Sequence, residues 1–366
     1  MSVLLSIFPS ANRGDSIAYW SAVQAVLHGS NPYDPFTLLP IQQQVFPSFD
    51  EAQYFLNPPW AIPLLIPIFA GSFGLSSWIL TIVNVLGFVF ALDWCRRRWG
   101  PLSTSFSTVI GLYVPFSACQ YNGQLSILLL VGLVLVLDEL GSKQPSVTKT
   151  ALGLFLCSLK PQTLYLLLFL IPFQILRRSG WGRLLRIAAW SIPACALMMC
   201  RSDWVLAWLR TFEYAQQWRT STTTTYARDV LFTYLPDHFH LFWLYQLFWI
   251  GVVSAMRTYR LLEGDRVLLL ILLSALTAPY AWIYDFCVLL PVYYLCLRQI
   301  WHWCKHQPTK GKWCFYLSLV ALAHVMIPFY TFAGESFEVH ILYSVGMALL
   351  YCLLLALERL NQQPLR

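Results

Sequence analysis

The chain is 366 residues long, 58% hydrophobic and 11% charged, with a mean hydropathy of +0.58. Soluble domains are about 45–50% apolar and about 25% charged, so the composition points away from an ordinary water-solvated fold. The net charge of +7 does not point to nucleic acid, because Lys and Arg sit in short clusters between apolar runs, the topogenic pattern of membrane-protein loops.

In chain order, only Met1–Phe8 is apolar before a polar stretch. That is too short to span a bilayer and too short for the h-region of a signal peptide. Residues 9–59 form a first long non-spanning segment. Within it Ile17, Trp20, Ala25 and Leu27 are interleaved with polar residues, which predicts an amphipathic helix lying in the interface. Gly29 stops that helix, and Asn31-Pro32-Tyr33-Asp34-Pro35 predicts a turn. Asn57-Pro58-Pro59-Trp60 then leads rigidly into the apolar part of the chain.

The apolar runs are Trp60–Leu75, Trp78–Trp94, Leu102–Ser117, Leu125–Leu140, Ala151–Leu159, Thr163–Leu176, Leu185–Cys200, Leu241–Ala255, Val267–Pro279, Ile283–Leu297, Trp313–Phe332 and Ile341–Leu357. Backbone polar groups in lipid must be bonded internally, so the runs predict an all-α polytopic membrane protein of about 10–12 transmembrane or re-entrant helices. Frequent Pro and Gly predict bent or broken helices. The chain reads as a single membrane domain over 1–366: first external loop 9–59, helices over 60–200, a second external loop 201–240, helices over 241–357 and a cytoplasmic tail 358–366.

Basic clusters at Arg177 to Arg186, Arg257 to Arg266 and Lys305 to Lys312 are expected in the cytoplasm. Arg201–His240, Thr277–Tyr284 and Ala333–His340 then face the other side. Tyr121–Gln124 joins them if Ala151–Leu176 is a pair of short helices. Two full spans between Trp60 and Trp94 would leave Arg96–Arg98 outside. Either one of those runs is re-entrant, or this cluster is an exception.

Ionisable residues among spans are costly and are functional candidates by default. Asp15, in Gly14-Asp15-Ser16, is either a helix cap or a reactive carboxylate; Ser16 serves the cap equally well. Asp285 opens an apolar run beside Tyr280, Trp282 and Tyr284, either as a cap or interfacial residue or as an acceptor of sugar hydroxyls beside an aromatic platform. Lys160 interrupts Leu159-Lys160-Pro161-Gln162 and either snorkels to a helix end or binds a lipid phosphate, with Gln162 adding a polar group. Asn122 and Gln124 make a polar, uncharged segment between two runs, either a turn or part of a site. Arg219 and Arg228, among the arginines of Arg201–Arg228, suit phosphate recognition or a solvated loop. No D-x-D, zinc set, P-loop or dinucleotide fingerprint occurs, so neither metal nor cofactor is expected. Cys304 with His302 and His306 fits no closed zinc spacing.

Several of these segments recur in a fixed order: Gly14-Asp15-Ser16 with Tyr19-Trp20; Leu27-His28-Gly29-Ser30-Asn31-Pro32-Tyr33-Asp34-Pro35; Asn57-Pro58-Pro59-Trp60; Gly123-Gln124; Leu159-Lys160-Pro161; Pro279-Tyr280-Ala281-Trp282 with Tyr284-Asp285. In that order the chain resembles glycosyltransferase family 87. The resemblance implies a GT-C membrane fold with short interfacial helices outside. It implies a polyprenyl-phosphate sugar donor, typically carrying mannose, and a lipid or glycan acceptor, with the site on the external face of a bacterial plasma membrane. It places the general base at Asp15. The family also carries a transmembrane helix before this loop, where this sequence has only Met1–Phe8; either the true start lies upstream or the helix is lost, and its loss would put activity in doubt.

The implied chemistry is simple. A lipid phosphate is an acceptable leaving group that needs cations rather than a general acid, and the acceptor hydroxyl needs one base. One carboxylate without a second as nucleophile favours single displacement with inversion. Lys160, Arg219 and Arg228 would hold phosphate; Tyr19, Asn122, Gln124, Gln162, Tyr280, Tyr284 and Asp285 would hold sugar or acceptor. The rival readings are a lipid-linked sugar transporter, though no internal repeat is visible, and an inactive subunit of a membrane complex.

Overall fold

The structure is a computed structural model that describes residues 14–102, 110, 113–142, 144–193, 196, 200–217, 241–255, 266–278 and 283–306. Tyr280, Arg219, Arg228, residues 1–13 and the two last expected spans lie outside the described residues. Everything regular among the described residues is helical. The helices are α1 (Gly14–Leu27), α2 (Pro35–Gln43), α3 (Ile62–Phe69), α4 (Phe73–Trp99), α5 (Val114–Asn122), α6 (Ser126–Gly141), α7 (Val147–Cys157), α8 (Tyr165–Ala189), α9 (Ser202–Gln217), α10 (Leu241–Ala255), α11 (Val267–Leu276) and α12 (Leu290–His306). Short 3-10 segments occupy Pro59–Ala61, Pro161–Leu164 and Ile283–Leu289.

The chain divides into two compact units. The first comprises residues 1–88, 116–161 and 168–222; the second comprises 89–115, 162–167 and 223–366. In the first unit α1 is packed by α2 and α3. The helix expected over Ile17–Leu27 is present as α1, but it is not amphipathic: Ser16–Val23 is buried without a break. Its small polar side chains fit inside, and its longer ones satisfy backbone groups at the end of α3. Gln24 Nε2 donates to the Phe69 carbonyl at 2.9 Å, and Trp20 Nε1 to that of Gly71 at 2.8 Å.

α1 ends as the sequence predicts. Gly29 takes φ 75°, with Ser30 N on the Ala25 carbonyl at 2.8 Å and Gly29 N on that of Val26 at 2.9 Å, a Schellman cap. The turn follows: Asn31 Oδ1 accepts from Tyr33 N, and Asp34 caps α2 through Phe36 N with Pro35 at the first helical position.

α4 is the one described helix that is by itself long and apolar enough to cross a membrane; α7 with the Pro161–Ala189 stretch would form a second, bent by 115° at its break. The expected pair of short helices over Ala151–Leu176 is therefore present as a bent pair, yet its second member runs on. α8 reaches Ala189 across a kink at Gly180 (φ 73°, ψ 177°) and takes in the basic cluster expected to be a loop. The run Trp60–Leu75 is cut short instead, because α3 ends at Phe69. α9 folds part of the expected second external loop into a helix.

In the second unit Arg298 Nε donates to the Trp99 carbonyl at 2.9 Å and Tyr294 OH to that of Gly100 at 2.8 Å, which satisfies carbonyls at the C-terminus of α4. Tyr113 stacks on Tyr293 and donates to the Phe286 carbonyl at 2.7 Å.

Candidate active site

The site of the first unit is built around one amide. α5 ends in a second Schellman cap: Gly123 takes φ 62°, Gln124 N bonds the Cys119 carbonyl at 2.9 Å and Gly123 N that of Gln120 at 3.3 Å. Only glycine adopts this left-handed conformation freely, and it delivers Gln124 to the head of α6. Asn84, from the middle of α4, holds the Gln124 carbonyl through Nδ2 at 3.0 Å.

The Gln124 side chain is 3% exposed and joins three residues far apart in sequence. Its Oε1 accepts from Tyr19 OH at 2.7 Å and from Lys160 Nζ at 2.7 Å, and its Nε2 donates to Asp15 Oδ2. Chemistry fixes which end is which. An ammonium only donates and a carboxylate only accepts, so the amide cannot be turned round. Asp15 lies in the first turn of α1, half-buried, where a carboxylate is favoured by the helix dipole. Lys160 is 8% exposed; it does not snorkel, and its charge is held inside by the amide oxygen.

Lys160 sits at the break after α7, and the Asn57-Pro58-Pro59-Trp60 segment pins that break. Asn57 Nδ2 donates to the Leu159 carbonyl at 3.0 Å, and Trp60 Nε1 to Ser158 Oγ at 3.0 Å. Asn57 is itself held by Tyr33, whose OH donates to the Asn57 carbonyl at 2.8 Å; burial pushes that phenol well above its ordinary range. Trp208 of α9 completes the support, donating to the Leu56 carbonyl at 3.0 Å and meeting Trp60 edge-on at 5.6 Å. Arg201 lies 4.2 Å over the Trp204 ring at the start of α9, and its hydrogen bond to Asp203 holds that carboxyl below the usual range.

Of the residues singled out in the sequence, Asp15, Tyr19, Gln124 and Lys160 come together. Asn122 does not; its amide returns to the Ala118 carbonyl of its own helix at 3.0 Å. Gln162, Tyr284 and Asp285 belong to the second unit. There Asp285 is completely buried within the 3-10 segment Ile283–Leu289, with Tyr284 also buried. Asn84, Asn57 and Trp60 are the residues that sequence reasoning missed as parts of a site. A lone Asn inside the run Trp78–Trp94 was the available signal for the first; the other two had been read as a rigid lead into a helix.

The family model of glycosyltransferase family 87 matches residues 55–291, well over half of the chain. The chain belongs to glycosyltransferase family 87. That membership makes it a glycosyltransferase of a generally membrane-associated family. The family 87 match takes in Asn57, Gln124, Lys160 and Asp285 and begins after Asp15 and Tyr19. No curated protein and no solved structure matches the chain.

Proposed function

We propose that this family 87 protein transfers a hexose, mannose before others, from a polyprenyl-phosphate donor to a hydroxyl of a lipid or glycan acceptor, with inversion and with Asp15 as general base. One observation carries the reading: the Asp15 carboxylate and the Lys160 ammonium flank a single amide, Gln124. Each of the two charges suits one half of the reaction. Asp15 takes the proton of the acceptor hydroxyl as its oxygen bonds to the anomeric carbon. The bond from that carbon to the phosphate oxygen breaks, and its electron pair leaves with polyprenyl phosphate, whose charge Lys160 offsets. With one base and no carboxylate assigned as nucleophile, attack comes from the face opposite the leaving phosphate, and a β-linked donor gives an α-glycoside.

The external face is the side proposed for this chemistry. α3, eight residues long, extends about 12 Å against a hydrocarbon core of about 30 Å. α4 is then the one full span between the first loop and Arg96–Arg98. A single span puts that basic cluster in the cytoplasm, in keeping with the positive-inside rule, and leaves the Asp15 loop outside.

The test is transfer of radiolabelled mannose from polyprenyl-phosphate mannose into lipid extract, in membranes carrying wild type or Asp15→Asn at equal expression. The expected result is label entering lipid with wild type, reduced about 10²–10⁴-fold in the variant. Equal transfer by both would remove Asp15 as the base. No label with either, while another polyprenyl-linked sugar is accepted, would remove mannose.

A further inference from the structure

Behind Gln124, two buried oxygens on α4 and α5 have no donor. Asn84, in the middle of α4, and Gln120, near the end of α5, are both fully buried. Each carboxamide is oriented by its nitrogen. Asn84 Nδ2 donates to the Gln124 carbonyl at 3.0 Å and lies 3.9 Å from Cys119 Sγ. Gln120 Nε2 donates to the Thr81 carbonyl at 3.4 Å. Neither amide can be turned round, because that would set oxygen against oxygen. Asn84 Oδ1 and Gln120 Oε1 are therefore left without a hydrogen-bond partner. Ser76 and Ser77 of α4 also carry buried, unpartnered hydroxyls, but a helical serine hydroxyl can turn to the carbonyl one turn back. An amide oxygen has no such escape, and leaving one dry in a core is costly.

We infer that the crossing of α4 and α5 binds an internal water molecule that donates one hydrogen bond to Asn84 Oδ1 and the other to Gln120 Oε1. Thr81, whose carbonyl takes Gln120, precedes Asn84 by one helical turn, and residues at that spacing have Cβ atoms about 5–6 Å apart. That brings the two carboxamides within reach of one molecule bonded at about 2.8 Å to each. The chemistry selects water. Both atoms are acceptors and ask for a donor with two hydrogens, and buried water typically serves such groups. α4 carries its charges only from Asp93 onward, and α5 carries none. Two neutral oxygens without a carboxylate make a poor cation site. Full burial of both residues sets them away from any surface that a sugar could reach. The water grips Asn84 by its oxygen while Gln124 grips it by its nitrogen, so the turn that carries Gln124 is fixed from behind. This holds whichever reaction the site performs.

Cys119 is a built-in reporter. It is fully buried beside the Asn84 amide, and Cys157 is as deeply buried at the crossing of α6 and α7, where Gly132 lets backbone meet backbone. A brief X-ray pulse on the full chain in membranes turns bound water into hydroxyl radicals, which oxidise the side chains next to it. Mass spectrometry then reads the oxidised fraction at each cysteine. In wild type, Cys119 is expected to be oxidised several-fold more than Cys157. Gln120→Leu keeps the bulk of the side chain and removes one of the two acceptors. In that variant Cys119 is expected to fall to the level of Cys157, and the thermal midpoint in detergent is expected to drop. Equally low oxidation of the two cysteines in wild type would overturn the inference, and that comparison needs no variant to fold. Unchanged oxidation of Cys119 in folded Gln120→Leu would break the bridge between the two amides. A raised midpoint in Gln120→Leu would also count against it, because removing a dry, orphaned acceptor stabilises a core.

Discussion

Lys160 is the residue whose burial asks most of its surroundings. A buried ammonium is tolerated only where hydrogen bonds replace water, and here the Gln124 oxygen takes a place in that shell at 2.7 Å. Replacing it by Met keeps the stem and removes the charge. If Lys160 offsets the departing phosphate, Lys160→Met is expected to lower kcat/KM for the polyprenyl donor by about 10²–10³, measured as initial transfer rates across donor concentrations, with the KM for acceptor unchanged. A loss confined to the acceptor KM would place Lys160 elsewhere in the reaction. At this scale the site was half legible. Asp15, Gln124 and Lys160 stood out as polar residues in apolar surroundings. That one amide joins them was not legible, because the bonds close 109 and 36 residues of sequence and nothing local encodes such a meeting.

Between elements, the tightest crossing is that of α6 with α7. Gly132 and Gly153 face each other there. A Cβ on Gly132 would lie 2.7 Å from the Gly153 carbonyl oxygen and 2.9 Å from Cys157 N, and one on Gly153 would lie 2.9 Å from the Gly132 oxygen. These neighbours are backbone and cannot rotate away. Because α7 leads directly into Ser158 and Lys160, this crossing also sets where the ammonium arrives. Gly132→Ala is expected to destabilise the protein by about 1–3 kcal/mol, read as a lowered thermal midpoint in detergent. Gly74→Ala, at a helical position with nothing within 4 Å, is expected to leave the midpoint unchanged or slightly raised. Long apolar runs made α4 and α6 legible in the sequence. α9 was not, because Asp203, Arg210 and Glu213 broke its apolar pattern. The spacing of Trp204, Trp208 and Thr211, which turn inward to varying depth, was the signal of a helix face. The kinked continuation of α8 was hidden for a similar reason: charges suggested a loop where the helix passes through them.

For the whole molecule, α4 turns large apolar residues outward, while its buried face mixes Leu80, Phe88 and Trp94 with small polar residues. Trp78, Ile82, Leu86, Val89 and Phe90 are exposed, while Ser77, Thr81 and Asn84 are buried. Polar residues inside and large apolar residues outside suit a helix solvated by lipid, where inward polar groups can bond one another and the outer face meets hydrocarbon. At 27 residues α4 is about 40 Å long, and its last turns carry Arg96 and Arg97, both paired with Asp93 at 2.9 and 3.1 Å. If α4 crosses alone, as proposed, the shortness of α3 leaves the basic cluster on the cytoplasmic side. The consequence can be measured with two introduced cysteines, Ser48→Cys in the first loop and Arg98→Cys beyond α4, both at exposed positions. In intact cells a membrane-impermeant maleimide is expected to label Ser48→Cys above the parent chain and to label Arg98→Cys only after permeabilisation. Labelling of both in intact cells would mean that the Trp60–Leu75 stretch crosses the membrane as well. The Asp15 loop and Arg98 would then share a face, and the basic cluster would stand as the exception to the charge rule.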